Sequence, residues 1–241
     1  MSNNQTILIV NADDFGRSRG VNRGVAMTHE CGIVTSASLM VRRSGADEAA
    51  AYGALHPRLS IGLHLDLGEW IYREGSWEAV EEVPGPVVDE IHRQLAQFRK
   101  LVGREPTHID SHQHVHRDQA VGSVLADVAR GLRIPLRACD SRVRYCGDFY
   151  GQTATGQGLP DSISVSALLD VLATLTPGVT EISCHPGLET DQDLPYGIER
   201  SAEVQALCDP RVRAAINARD IWLWSFADLA LNPSAAFDGV S

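Results

Sequence analysis

Four histidines stand close together in the segment THIDSHQHVH: His108, His112, His114 and His116. An even spread of the nine histidines over the 241 residues would place only about 0.3 of them in a nine-residue window. In an extended segment the side chains of His108, Asp110 and His112 share one face, from which one or two of them can reach a common ion. Four consecutive ligands would crowd a metal, so hydrogen-bonded structural histidines are the alternative interpretation.

Two adjacent carboxylates, Asp13 and Asp14, follow the apolar run TILIVN. Like charges at one strand end repel each other unless a cation or a shared proton compensates, so this pair is typical of a metal site. Because adjacent side chains diverge, one Asp can bind the ion while the other handles a proton. The alternative is an Asx-type turn before Gly16.

Two further histidines stand alone at predicted strand ends. His64 lies in IGLHLDLGE, where the alternation places it with Asp66 on the face opposite the leucines, although a hydrogen-bonded core histidine has the same pattern. His185 precedes Pro186, which restricts it to an extended conformation that would hold its ring over the site. An imidazole there suits proton transfer near neutral pH, and a turn histidine is the alternative.

The elements that must position these residues alternate short β-rich runs with amphipathic stretches, which predicts an α/β fold with a parallel sheet. Seven strands are expected, at residues 6–11, 33–41, 59–65, 107–111, 136–139, 180–184 and 221–224. Helices are expected at residues 19–32, 47–55, 87–102, 120–131, 165–175, 198–207, 211–219 and 226–231. The candidate residues all follow the carboxyl ends of strands, where parallel α/β proteins carry their active sites.

Two segments, residues 68–86 and 140–161, interrupt this alternation and are predicted to be long loops, either substrate lids or solvent-exposed insertions. Five arginines fall between residues 130 and 144. They could bind a phosphate, but a solvated basic face is the preferred interpretation. The five are Arg130, Arg133, Arg137, Arg142 and Arg144.

Composition limits the classes of function. The chain has 21 Lys and Arg against 31 Asp and Glu, a net charge of −10, which disfavours a nucleic-acid binder. No run reaches the roughly 18 apolar residues of a membrane span. The five cysteines are widely spaced without a CxxC motif, so we expect a reducing cytoplasm. A single domain over residues 1–241 is expected, and a homodimer is left open.

In order along the chain, the motifs NADDFG, GLHLDLG, HIDSHQHVH and CHPG resemble those of the ChbG/HpnK family, the YdjC-like carbohydrate deacetylases. The resemblance runs from about Ile7 to Leu229. It implies a TIM-like barrel of about seven parallel strands that binds one divalent ion, Mg²⁺ or Zn²⁺. It also implies removal of the acetyl group from an N-acetylated sugar such as a chito-oligosaccharide.

Carried over motif by motif, the resemblance implies Asp14, His64 and His112 as metal ligands. By analogy with polysaccharide deacetylases, it implies Asp13 as the base and His185 as the acid. Members of the family often read SHHHVH where this chain has Gln113. We expect Gln113 to point away from the face shared by His112 and His114, so the metal site should survive, but any contact that this position makes to substrate would change.

A bound divalent ion would lower the pKa of water towards ~7 and polarise an amide carbonyl. Asp13 would then take the proton of the attacking water, and His185 would protonate the departing amine. Two rival functions remain open on the sequence. One is a metal-dependent phosphoester hydrolase, and the other is a sugar-binding barrel without catalysis.

Overall fold

The structure, a computed structural model, describes residues 5–188 and 196–232. Seven parallel strands within these residues form one sheet, curled into a half-barrel, so the expected α/β barrel-type fold is confirmed. The strands of this sheet are β1 (Thr6–Phe15), β2 (Ser36–Leu39), β3 (Ser60–Leu65), β6 (Ile109–Ser111), β7 (Val143–Cys146), β8 (Gly178–Cys184) and β9 (Ile221–Leu223). Parts of the expected domain, residues 1–4, 189–195 and 233–241, lie outside the described residues.

The strand order is β6-β3-β2-β1-β8-β7, with β9 added beside β1. Strand β1 is the longest, and two strands share one of its edges: β9 pairs with Thr6–Leu8, and β2 pairs from Asn11 onward. The sequence TILIVNADDF is buried almost throughout, as a central parallel strand must be. Because all seven strands are parallel, their carboxyl ends meet at one edge of the half-barrel.

Helices connect the strands and pack on the sheet. Their bounds are α1 (Arg19–Glu30), α2 (Ala46–Leu55), α3 (Val87–Val102), α4 (Gln119–Leu132), α5 (Val165–Thr174), α6 (Gly197–Leu207), α7 (Pro210–Ala218) and α8 (Phe226–Leu231). The helix predicted at residues 87–102 is amphipathic and buries Ile91, Leu95 and Phe98 on one face, whereas Val88 near its start is exposed. Ser18 caps α1 by accepting from the backbone N–H of Val21. No helix among the described residues is long and apolar enough to cross a membrane.

The prediction of a loop at residues 68–86 is wrong. This segment contains an antiparallel hairpin of β4 (Gly68–Arg73) and β5 (Ser76–Glu82). The turn is made by Glu74 and Gly75, whose φ angles of 49° and 94° suit a tight hairpin turn. The hairpin lies on the surface and is rich in charged residues, so its sequence lacks the alternation of apolar and polar residues that predicts a strand.

The predicted strand at residues 136–139 is also misplaced. Only Leu136 forms an isolated bridge, to Ile109, and Ala138 adopts a φ of 59° that ends any extended run. The strand that joins the sheet is β7, which lies inside the second predicted loop, residues 140–161. Because residues 136–139 do not form a strand, the side chain of Arg137 is free to point into the barrel.

Candidate active site

Asp13 and Asp14 point in different directions because β1 is irregular just before its end. Its register against β2 shifts between Ala12 and Phe15, and Asp14 has a φ of 63°. Asp is one of the few residue types that adopts this left-handed conformation readily. The bulge therefore sends the side chain of Asp14 towards β3 and that of Asp13 towards the barrel interior.

Asp14, His64 and His112 come together at the carboxyl edge of the sheet. Asp14 Oδ1 lies 3.3 Å from His64 Nε2 and 3.2 Å from His112 Nδ1. This oxygen is buried and has no hydrogen-bond partner, which is costly unless a cation satisfies it. One carboxylate and two imidazoles are a ligand set that suits a divalent metal. The three residues predicted as ligands therefore form a cluster that can hold such an ion.

A second polar group holds each of these three side chains in place. Arg200 Nη2 donates to Asp14 Oδ2 at 2.5 Å. His64 Nδ1 lies 2.7 Å from Asp110 Oδ1, and His112 Nε2 lies 3.1 Å from Glu69 Oε2. A carboxylate behind a histidine fixes its ring orientation and makes the free nitrogen a better ligand.

These partners shift the pKa values of the cluster. Burial alone would raise the pKa of Asp14, but Arg200 and His112 hold it well below its usual range. Burial alone would lower the pKa of His64, but the Asp110 carboxylate raises it to about 10. The pKa of His112 is raised as well, against burial, by Asp14 and Glu69. The carboxylates that raise these pKa values also attract a cation, which would bind by displacing the protons from the two imidazoles.

Asp13 lies behind this cluster in an ion-pair network centred on Arg137. The guanidinium lies 2.6 Å from Asp13 Oδ2 and 2.7 Å from both Asp110 Oδ2 and Glu181 Oε1. Burial would raise the pKa of Asp13, and Arg137 lowers it below its ordinary value. Asp13, His64 and Asp110 are also close enough to share an ion. Arg137, however, already supplies the positive charge at that position.

Arg137 is 3% exposed, so the predicted solvated basic face is wrong for this residue. Arg142 is half-buried and pairs with Asp140, and the other three arginines of the stretch are exposed. Arg144 donates to backbone carbonyls rather than joining a cluster. Arg137 is therefore paired with carboxylates inside the protein and is not available to bind a phosphate.

His185 lies beside Asp13, with Nε2 3.8 Å from Asp13 Oδ2. Its backbone N–H donates to the buried carboxyl group of Glu203, which also accepts from the hydroxyl of Tyr196. The rings of Tyr150 and Tyr196 have centroids 5.3 Å and 5.2 Å from that of His185. Burial lowers the pKa of His185 to about 4, so its ring is neutral at pH 7 in the substrate-free protein.

The remaining histidines of the cluster are not placed around Asp14. His108 stacks on Phe226 in the barrel interior, with ring centroids 3.9 Å apart. His116 Nδ1 lies 2.6 Å from Ser111 Oγ and closes a turn. The alternative of structural histidines is therefore right for these two. His112 comes after the end of β6 and begins a turn, so the expected shared strand face extends only to Asp110.

His114 is half-buried near Tyr145, whose hydroxyl lies 3.4 Å from its Nε2. Gln113 and His114 have φ angles of 50° and 54°, and this turn sends the Gln113 amide to the hairpin. There it accepts from the backbone N–H of Trp70 at 3.0 Å and donates to the Trp70 carbonyl at 2.7 Å. Gln113 also donates to Glu69 Oε1 at 3.4 Å, so it binds the hairpin rather than joining Asp14, His64 and His112.

Sequence reasoning missed four residues that support this site: Glu69, Arg137, Arg200 and Glu203. Arg137 offered a signal, since an arginine inside an apolar run predicted to be buried requires acidic partners. Glu69 and Asp66 both follow β3 in the same motif as His64. Glu69 contacts His112, whereas Asp66 pairs with Arg43 outside the ligand cluster. Arg200 and Glu203 lie on a helix far along the chain and offered no local signal.

The fold and site together define a class: an α/β half-barrel with a carboxylate and imidazole centre that can hold a divalent metal. A sequence model of the family described as YdjC-like protein matches residues 7–218. The chain belongs to this family, which confirms the resemblance found in the motifs.

The chain is also similar to individual proteins, in sequence or in fold. The chain is 33% identical to a chitooligosaccharide deacetylase of Serratia marcescens, over 93% of this chain and 100% of that one. It also resembles a solved structure of a proposed cellobiose-phosphate cleavage protein from Enterococcus faecalis V583, with TM-score 0.72, 25% identity and 93% and 99% coverage. A family 4 acetyl xylan esterase from Clostridium thermocellum, solved with a cobalt ion, shares the fold at TM-score 0.55, 12% identity and 95% and 92% coverage.

Proposed function

We propose that this protein is a metal-dependent carbohydrate deacetylase, which hydrolyses the amide of an N-acetylated sugar to a free amine and acetate. The chito-oligosaccharide class is supported by the similarity to the Serratia marcescens deacetylase. The observation that carries the proposal is the position of Asp14 Oδ1, which is buried without a hydrogen bond 3.3 Å and 3.2 Å from two imidazole nitrogens. Asp13 is adjacent to Asp14 in the sequence, and His185 Nε2 lies 3.8 Å from Asp13 Oδ2.

Asp14, His64 and His112 would hold one divalent ion, Mg²⁺ or Zn²⁺. The two imidazole nitrogens favour Zn²⁺ over Mg²⁺, which prefers oxygen ligands. When bound, such an ion supplies an electrophile for the acetyl carbonyl and makes a neighbouring water more acidic. Glu69, Asp110 and Arg200 orient the three ligands from behind.

Asp13 is proposed as the general base. Its bidentate contact with Arg137 fixes the carboxylate and keeps it ionised at neutral pH. Because its pKa is low, the proton that it removes from water is not retained for long. His185 Nε2 is 3.8 Å away and is neutral before reaction, so it can receive this proton and deliver it to the leaving nitrogen.

The proposal is tested by incubating metal-loaded protein with a panel of N-acetyl sugars and sugar phosphates, with and without chelator. We expect acetate release that chelator abolishes and that metal restores. Inorganic phosphate as the only product would instead establish a phosphoester hydrolase, and neither product would indicate a sugar-binding barrel. The burial of Arg137 within three carboxylates argues against a phosphate site at this position.

A further inference from the structure

Two of the five cysteines lie at the ends of two helices that pack against each other, outside the candidate active site. Cys31 directly follows α1, and Cys208 directly follows α6. Both are free thiols; Cys31 is exposed and Cys208 is half-buried. The proposed reaction uses neither of them. The pair is therefore a candidate for thiol chemistry of its own.

The carbonyl oxygen of Met27 contacts both cysteines. It lies 2.8 Å from the backbone nitrogen of Cys31 and 3.8 Å from Sγ of Cys208. Cys31 comes four residues after Met27 and seven after Gly24, so the three residues share one stripe of α1. Gly24 packs against Gly187, whose backbone N–H donates to a carbonyl of α6. The stripe that carries Cys31 therefore faces α6.

Gly32, the residue after Cys31, allows the two helix ends to approach closely. A Cβ at position 32 would lie 2.7 Å from the carbonyl oxygen of Leu207 and 3.2 Å from Sγ of Cys208. Any side chain there would push the ends of α1 and α6 apart. Arg213 on α7 donates to the carbonyl of Gly32 and holds this turn in place. The neighbours of the two cysteines are thus in direct contact.

A disulfide requires the two Cα atoms to lie about 4.4–6.8 Å apart. The contact of Gly32 with Leu207 and the shared contact with Met27 bring the backbones of Cys31 and Cys208 to a separation of this order. Rotation about χ1 moves a sulfur atom between staggered positions, and at the exposed Cys31 no packing opposes it. We therefore expect the two sulfur atoms to meet without movement of the helices.

The surroundings of the two thiols disfavour thiolates. Burial and the nearby Cys31 thiol raise the pKa of the Cys208 thiol. Both cysteines also follow the carbonyl end of a helix, where partial negative charge destabilises an anion. A thiol that resists ionisation reacts slowly with oxidants. The same effect makes a disulfide hard to reduce, because its reduction regenerates thiolates. A bond between these cysteines should therefore form slowly and persist.

We infer that Cys31 and Cys208 form an intramolecular disulfide under oxidising conditions, which joins the C-terminal ends of α1 and α6. With hydrogen peroxide as the oxidant, the exposed Cys31 sulfur attacks one peroxide oxygen, the O–O bond breaks, and a sulfenic acid and one water result. The Cys208 sulfur then attacks the sulfenic sulfur of Cys31. The S–O bond breaks, and its oxygen leaves as a second water with the proton of Cys208. Peroxide is reduced by two electrons, and the protein loses two hydrogens.

This bond would support the frame of the candidate active site from a distance. Helix α6 carries Arg200, which contacts Asp14 Oδ2 at 2.5 Å. Cys208 comes eight residues after Arg200, which is about 12 Å along a helix. The disulfide should therefore stabilise the packing of α1 on α6 and leave the geometry around Asp14 unchanged.

The test treats the folded, full-length protein with hydrogen peroxide in the presence of chelator. The remaining thiols are then blocked with N-ethylmaleimide, and the protein is digested without reductant. Mass spectrometry should find a peptide pair that joins Cys31 to Cys208, lighter by two hydrogens and separated by dithiothreitol. Cys31→Ser and Cys208→Ser should each lose this pair. Cys139→Ser is the matched control, because Cys139 is also exposed but belongs to neither helix.

Thermal unfolding measures the consequence of the bond. Oxidation should raise the Tm of wild type and of Cys139→Ser by roughly 4–16 °C, as expected for a disulfide that closes a long loop in a chain of this size. Cys31→Ser and Cys208→Ser should show no increase in Tm on oxidation. Reduction with dithiothreitol should return the Tm of wild type to its starting value.

Three results would overturn the inference. The first is a peroxide-induced cross-link that uses Cys139 in place of Cys31 or Cys208. The second is a cross-link found only between two chains, and the third is N-ethylmaleimide on both Cys31 and Cys208 after prolonged oxidation. None of these measurements uses acetate release, so failure of this inference is distinguishable from failure of the proposed deacetylation.

Discussion

His112 is proposed as a metal ligand and His185 as a proton-transfer group, so their substitution should affect metal binding differently. His112 Nδ1 lies 3.2 Å from Asp14 Oδ1 in the ligand cluster, whereas His185 lies next to Asp13. We therefore predict that His112→Ala loses both metal binding and activity. His185→Ala should keep the metal and lose rate by roughly 100- to 10,000-fold, the usual effect of removing one proton-transfer group.

The size of the metal effect follows from binding linkage. Metal present at 100 times its Kd stabilises the folded protein by about 2.7 kcal/mol. For a chain of this size, each kcal/mol raises Tm by roughly 2–4 °C, so wild type should gain about 5–10 °C. Loss of a residue that only orients a metal ligand lowers metal affinity roughly 10- to 100-fold. Loss of a ligand itself should lower metal affinity by at least about 100-fold. His112→Ala should then retain about 0.4 kcal/mol or less of the stabilisation.

The assay is the thermal unfolding of stripped protein with and without added Zn²⁺, paired with acetate release. Glu69→Gln, which removes the carboxylate behind His112, should give an intermediate metal stabilisation of about 0.4–1.4 kcal/mol. His185→Ala should show the full wild-type increase in Tm. An equal loss of metal stabilisation in His112→Ala and His185→Ala would refute the division of roles.

Three further predictions concern the framework of the site. Arg137→Ala leaves buried carboxylates without a counter-charge and should lower the free energy of unfolding in urea by about 3–5 kcal/mol; a loss below about 1 kcal/mol would contradict the network. Burial raises the pKa of Glu203 to about 8, so the folded state holds a proton that the unfolded state releases above about pH 4.3. The free energy of unfolding therefore falls as pH rises towards 8, by up to about 1.4 kcal/mol per pH unit. Glu203→Gln cannot lose a proton, so it should flatten the dependence of this free energy on pH measured between pH 5 and 8. Gly62→Ala places a Cβ about 2.4 Å from the His108 ring and should cost about 1–3 kcal/mol, recovered in part by adding His108→Ala.

Much of the fold was predictable because its signals are local. The apolar stripe of α3 and the alternation of strands and helices follow from side-chain periodicity alone. The failures also have a physical cause. The hairpin of β4 and β5 is exposed and charged, so its strands lack an apolar pattern, and the arginine at position 137 interrupts the run that was predicted to be a strand.

The sequence by itself determined which chemical groups stand at the carboxyl ends of the strands: paired carboxylates, lone histidines and a histidine cluster. Only the tertiary structure decided which of them meet. Arg137 contacts Asp13 across 124 residues, and Arg200 contacts Asp14 across 186. Such contacts depend on strand order and on the bulge that separates Asp13 from Asp14. Local periodicity carries no information about either, because it describes one element at a time.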